Sequence, residues 1–154
     1  MRRILTAISV VAVVLLVAGV VAAGAGSQGE EPQQFTVVER PTTDTVIDIG
    51  ASGDSTGDLL TFGNKLYDAS NTDAVGRSQG SCIRIDPEKG TWQCSYTNFL
   101  DGGSIAVEGP FFDTRDSTFA VTGGTGVFRN VRGVLRLHAR DDGNFDFVFK
   151  LNQP

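Results

Sequence analysis

From residue 35 onward the chain alternates apolar and polar positions in short runs, with Gly, Asp, Asn and Pro between them. The last run is the clearest. Phe145, Phe147, Phe149 and Leu151 fall on one face, and Asp146, Val148, Lys150 and Asn152 fall on the other. That period of two is the signature of a strand with one buried face. The same pattern predicts strands over 35–40, 45–49, 59–67, 75–86, 91–100, 104–109, 119–122, 134–140 and 145–151. The stretches DPEKG (86–90) and DGG (101–103) read as hairpin turns. No helical periodicity and no internal repeat interrupts the series. An all-β antiparallel fold follows, either a sandwich or a closed barrel of about eight strands, and closure removes exposed edges.

The N-terminal pattern is different in kind. Met1, Arg2 and Arg3 precede an apolar run from Ile4 to about Ala23, followed by Ala23-Gly24-Ala25. A basic start, an apolar stretch and small residues read as a secretory signal peptide over residues 1–25. The run over residues 4–23 is also long enough for an uncleaved membrane anchor. Both readings place the remainder outside the cytoplasmic membrane, secreted or extracytoplasmic. Residues 26–34, with Glu30, Glu31 and Pro32, read as a flexible tether, and 35–154 as the single folded domain.

Composition changes the picture in one respect. The 154 residues carry 13 basic and 18 acidic side chains, a net charge of −5. Loss of Arg2 and Arg3 leaves 11 basic against 18 acidic, or −7. This argues against nucleic acid as a partner, which needs basic patches. Membrane contact is expected only through the N-terminal segment.

Candidate chemistry is sparse. The two cysteines, Cys82 and Cys94, flank the 86–90 turn. A turn centred on Glu88 sets Ile85 against Thr91, Arg84 against Trp92, Ile83 against Gln93 and Cys82 against Cys94. Directly opposed residues lie within disulfide reach, and an oxidising compartment preserves the bond. A free catalytic thiol or a metal pair are the alternatives. Two cysteines with the lone His138 make no ligand set, so no metal is expected. His138 shares the parity of Arg136 and Arg140 and reads as exposed. Trp92, Cys94 and Tyr96 share a strand face that either lines a pocket or packs a core.

The stretch AVTGGTGVFRNVRG (120–133) lacks the lysine of a Walker loop and the spacing and context of a dinucleotide turn. Its glycines read as a corner, with a short helical turn near residues 125–132 and a glycine exit. Val127, Phe128 and Val131 would plug one barrel end, with Arg129 and Arg132 on a solvated face or paired with a carboxylate.

This stretch also resembles the signature of the allene oxide cyclase barrel and the related dirigent proteins. GDLLTFGNKLYD (57–68), GSCIRI (80–85) and GSIAVEGP (103–110) resemble further parts of that pattern, in order, over about residues 35–151. The resemblance implies an eight-stranded antiparallel barrel of the allene oxide cyclase/dirigent type, often trimeric, with an apolar interior cavity and neither metal nor organic cofactor. It places Asn64 and Cys82 at pocket positions. The family's first-strand pattern E-x-N-E-R becomes TVVER here, so Thr36 and Val38 stand where a glutamate and an asparagine are expected, and Glu39 takes outward parity.

The expected function is a secreted cyclase-like or dirigent-like barrel that binds a small apolar molecule and steers its cyclisation or isomerisation without a cofactor. The alternative is a non-catalytic ligand-binding or structural envelope barrel. Ligand pocket candidates are Asn64, Cys82, Thr36, Val38, Trp92 and Tyr96. Asn64 has a second reading, as a buried turn-stabilising amide, and Asp58 reads as a turn residue. Outward parity of Ile83 and Ile85 exposes an aliphatic pair, which with the resemblance predicts a homo-oligomer, a trimer.

Overall fold

The computed structural model describes residues 33–152. The predicted signal segment, its anchor alternative and the tether up to residue 32 lie outside the described residues. Ten strand segments follow one another: β1 (Gln33–Arg40), β2 (Thr45–Ile47), β3 (Leu59–Phe62), β4 (Lys65–Tyr67), β5 (Ala74–Asp86), β6 (Thr91–Leu100), β7 (Gly103–Phe112), β8 (Ser117–Gly126), β9 (Arg132–Ala139) and β10 (Phe145–Asn152). β1 starts at Gln33, which pairs with Leu151, two residues before the predicted boundary.

The ten segments form eight staves of a closed antiparallel barrel. β5 through β10 pair in succession, β10 pairs with β1, β1 with β4, and β4 with β5. β2 and β3 pair with each other, and β3 also pairs with β5, so they prolong the β1 and β4 staves past a break. The predicted strand over 59–67 is therefore two, split at Gly63-Asn64. Among the described residues no helix occurs.

Alternation works out as the sequence pattern requires. Phe147, Phe149 and Leu151 of β10, Leu135 and Leu137 of β9, Phe119 and Val121 of β8, and Ile105 and Val107 of β7 are all buried in one core. Face-alternating strands in a closed sheet have a single interior, so every inward position converges there.

The β5–β6 hairpin keeps the expected register at Arg84↔Trp92, Ile83↔Gln93 and Cys82↔Cys94. Cys82 and Cys94 are joined by a disulfide. The expected Ile85–Thr91 pair does not form, because a bulge places Asp86 opposite Thr91. Asp86 then faces the turn, where its Oδ1 accepts the Lys89 N–H at 3.1 Å.

The glycine-rich stretch is a corner, as expected, but not a helical one. β8 runs on through Gly126, and two reverse turns follow, with Phe128 N–H donating to Thr125 O and Arg129 N–H to Gly126 O. Gly126 has φ +60°, and a Cβ there would meet Gly102 O at 2.0 Å. Asn130, at φ 62°, ends the turn before a helix can propagate. Val131 is buried and Phe128 packs on the core, but Val127 is 68% exposed and lies over Gly102 rather than in the barrel end. Arg129 and Arg132 are exposed, and Arg132 Nη1 donates to Val131 O.

Candidate functional site

The site is built on β1, β3 and the break that follows it, β5 and β6. Phe35, Val37 and Glu39 alternate along β1 opposite Phe149, Phe147 and Phe145 of β10. Because those phenylalanines pack on the core, residues of the same parity on β1 face inward. Glu39 is therefore interior and only 5% exposed, which corrects the outward parity expected for it. Thr36, Val38 and Arg40 have the other parity. Neither Thr36 nor Val38 lines the interior cavity, although Val38 is fully buried.

The Glu39 carboxylate accepts a short hydrogen bond from the Ser78 hydroxyl of β5. Burial in apolar surroundings pushes its pKa up to about 7, against the pull of the Ser78 bond, with the Asp44 charge adding to the rise and the Asn64 amide opposing it. A carboxyl group so placed holds both protonation states near neutrality.

Asn64 repairs the break in the β1–β2 and β4–β3 staves. Its Oδ1 accepts the N–H of Thr42 and of Thr43, each at 3.0 Å, and the Thr43 hydroxyl at 3.0 Å. Its Nδ2 donates to Asp44 Oδ1 at 2.6 Å. The amide thus supplies the partners that the missing ladder leaves orphaned, and it also lines the cavity. Asn64 therefore braces the break and stands in the cavity wall at once.

Tyr96 stands across the interior on β6. Its ring is edge-on to Phe62 and Phe119, at centroid distances of 5.5 and 5.2 Å. The hydroxyl is buried with no hydrogen-bond partner. Burial, with the Glu39 charge adding to it, holds the phenol well above its usual pKa, so it remains a neutral donor.

These groups share a cavity of about 60 Å³ with Leu60, Phe62, Phe119 and Phe147. Cys82 and Cys94 both form part of its wall. Phe111, Leu137 and Phe145 border it on one side and border an outer cleft of about 380 Å³ on the other. The boundary between the two spaces, the mouth of the cavity, is closed by the Phe111 and Phe145 rings, which meet edge to face at 6.1 Å. Glu39 pairs with Phe145 in the ladder, which sets the carboxyl next to that mouth.

Trp92 belongs to the barrel end rather than the cavity. The Arg84 guanidinium lies 4.3 Å from its ring centroid, and its Nε1 donates to Asp113 Oδ1 at 2.9 Å. Arg84 is held in turn by Asp54 and Asp113 at 2.5 and 2.6 Å. Asp58 proves to be a turn residue, accepting the N–H of Ile49 and of Ser55, each at 2.8 Å. His138 is exposed and meets Asp116 at 2.7 Å.

Of the six pocket candidates, Asn64, Cys82 and Tyr96 come together in the cavity wall, and Thr36, Val38 and Trp92 do not. The residues not anticipated are Glu39, Asp44 and Ser78. The alternation of Phe35, Val37 and Glu39 carried the signal for Glu39.

A family model for allene oxide cyclase matches residues 35–145. The chain belongs to the allene oxide cyclase family. Among solved structures, a pyocyanin demethylase is 26% identical and superposes with a TM-score of 0.69, over 77% of this chain and 99% of that one. A pterocarpan synthase dirigent protein is 17% identical, with a TM-score of 0.62 over 82% and 99% of the two chains. An exo-specific intermolecular Diels–Alderase is 18% identical, with a TM-score of 0.62 over 79% and 98%. The last two likenesses concern the fold. In this allene oxide cyclase family barrel, the interior carboxyl group on the first strand is Glu39.

Proposed function

We propose that this barrel binds a small, largely apolar ring compound at the mouth of its cavity and steers a proton-coupled rearrangement of it, an isomerisation or cyclisation, through Glu39. The observation that carries this reading is the buried Glu39 carboxyl group in a largely apolar wall that includes Leu60, Phe62, Phe119 and Phe147, where burial pushes its pKa up to about 7. Barrels of this shape include a demethylase, a pterocarpan synthase and a Diels–Alderase, so the architecture hosts several chemistries on organic molecules.

The chemistry follows from the groups present. The Phe111 and Phe145 rings part to admit the leading edge of a ring, which packs on the Tyr96 and Phe119 rings. Ionised Glu39 removes a proton from an acidic C–H or O–H of the ligand, and protonated Glu39 returns it at another position. A base with a pKa near the working pH is well matched to both halves of that exchange. The Tyr96 hydroxyl, unspent within the protein, donates to an oxygen or nitrogen on which negative charge develops. Exclusion of water by the aromatic wall strengthens both effects. Extracytoplasmic placement, proposed from the N-terminal pattern, puts this activity outside the cell membrane.

The test uses 2-tetralone, a small neutral ring ketone with exchangeable α-protons, in D₂O followed by proton NMR. We expect saturable acceleration of α-proton exchange that rises with pH through about 7, and loss of roughly a hundredfold or more of it in Glu39→Gln. Absence of saturable binding, or equal exchange with Glu39→Gln, defeats the proposal.

A further inference from the structure

We infer that the ligand of this cavity is neutral or cationic, with its positive or proton-donating end seated on the Glu39–Asp44 pair, and that anionic ligands are refused. This deepens the function proposed above and rests on it. The first ground is the charge of the wall. Glu39 and Asp44 line the cavity, and none of its lining residues is Lys, Arg or His.

The second ground is the disposition of every polar group that faces Glu39. The Ser78 hydroxyl is spent on Glu39 itself. The Asn64 amide nitrogen donates to Asp44, and its oxygen already accepts from Thr42 and Thr43. The cations close by on the chain are committed elsewhere. Arg40, next to Glu39, points outward, stacks on Tyr67 at 3.6 Å and donates to Asn71. Arg84 is bound by Asp54 and Asp113 at the barrel end. An incoming anion would meet two carboxylates and no compensating charge, whereas a cation would relieve their mutual repulsion.

The third ground is independent of charge. The Tyr96 hydroxyl, in a residue only 5% exposed, lines the same cavity without a partner. A buried hydroxyl left unsatisfied is costly, and here a bound molecule can supply the missing bond. The cavity therefore has a polar end made for a ligand, flanked by aromatic faces that also favour cations.

Outside the mouth, the cleft carries Asp113, Arg115 and Asp116. Arg115 lies over the Phe112 ring at 3.7 Å, outside the lining of the inner cavity. The outer cleft thus adds no cation to the inner one.

The experiment compares three two-ring probes of similar shape by isothermal titration calorimetry: N-methylquinolinium, neutral quinoline and 1-naphthoate. At pH 8 N-methylquinolinium is expected to bind at least about tenfold more tightly than 1-naphthoate, the scale of one favourable charge contact in a partly dry site. Lowering the pH from 8 to 6 protonates Glu39, so the affinity of the cation should drop severalfold while that of quinoline holds. In Glu39→Gln the preference should shrink about tenfold and its pH dependence should vanish. Asp44→Asn should lower the preference without flattening the pH profile. Equal or tighter binding of 1-naphthoate overturns the inference, as does a preference untouched by Glu39→Gln. If quinoline and 2-tetralone bind but the cation has no advantage, only the charge inference falls. If none of these rings binds, the function proposed above falls with it.

Discussion

The Ser78 hydroxyl donates to the Glu39 carboxyl across the barrel interior, joining residues 39 positions apart on β1 and β5. Both are buried, so this bond forms in a dry setting and fixes the rotamer of the acid. It does not restore the hydration that Glu39 loses on folding, which is why the group still titrates near 7.

That titration has a consequence for stability. The folded protein holds the Glu39 proton more tightly than the unfolded chain, with a pKa raised from 4.5 to about 7. Between those two values the unfolded state loses its proton first. Stability therefore falls as pH rises from about 4.5 to 7 and levels off above, by up to about 3 kcal/mol. Glu39→Gln should abolish this fall and be the more stable protein at pH 8. Urea unfolding at intervals from pH 5 to 8 checks it, and parallel curves for the two proteins would refute it.

The Cys82–Cys94 bridge is expected in the mature protein and closes a short loop of sequence separation 12. Intact mass after iodoacetamide should show no adduct without reductant and two after reduction. Replacing both cysteines with serine should destabilise the domain by about 3 kcal/mol on the loop-entropy account. It should also perturb ring binding, because both residues stand in the cavity wall.

Alternation alone exposed the barrel, because inward positions such as Phe147, Phe149, Leu135 and Phe119 are strongly apolar and evenly spaced. The disulfide register was legible for the same reason, since pairing outward from a tight turn leaves little freedom. The bulge at Ile85 was not, because DPEKG accommodates Asp86 on either side of the turn. The site was half legible. Tyr96 and Asn64 stood out by face and motif, but Glu39 is a polar residue at an inward position, where apolar alternation is broken. The family's first-strand motif, set on Glu39-Arg40, points Glu39 outward, whereas the Phe35–Val37–Glu39 parity points it inward. Ser78 and Asp44 carry no sequence signal, since only closure of the barrel brings them to Glu39.

Asn64 supplies what the broken staves lack, so its loss is expected to be severe. Asn64→Ala leaves the N–H groups of Thr42 and Thr43 and the Asp44 carboxylate without their partner. A cost of about 2–4 kcal/mol follows from several bonds of this kind. Asn64→Asp keeps the acceptor but sets a third carboxylate beside Asp44 and Glu39. It should recover stability only at low pH. Thermal melts at pH 5 and 8 separate the two variants, and a wild-type melting temperature for Asn64→Ala would contradict the bridging role.

Self-association has support from the outer face. Ile47 pairs with Leu59 and Leu59 with Ile83, so three aliphatic side chains stand in one row across β2, β3 and β5. Ile83 and Ile85 are each 50% exposed, and Ile47 and Ile49 are nearly as open. Light scattering coupled to size exclusion is expected to give a trimer mass at micromolar concentration, and Ile83→Asp to lower it. A monomer throughout that range would remove the expectation.

The plant-type cyclisation of an allene oxide tests how far the family's chemistry extends to this cavity. The positions expected to carry it, Thr36 and Val38, face away from the interior. Glu39 does supply a carboxyl group there, so the missing element is not charge but enclosure. To set one product hand, a barrel must hold the whole reacting chain in one conformation, and pre-organisation of that kind needs a closed space. The cavity holds about 60 Å³, well under the roughly 150 Å³ that encloses a single benzene. A ligand can seat one ring edge between Phe111 and Phe145, but a flexible chain remains free in the outer cleft. Spontaneous hydrolysis and uncatalysed closure should then dominate. The measurement is chiral chromatography of the cyclopentenone formed when the allene oxide is generated in situ beside the purified domain. Racemic product at the level of the protein-free control is the expected result. A clear excess of one enantiomer would show that the mouth opens wide enough to take in the chain, and that Glu39 and Tyr96 suffice to direct the closure.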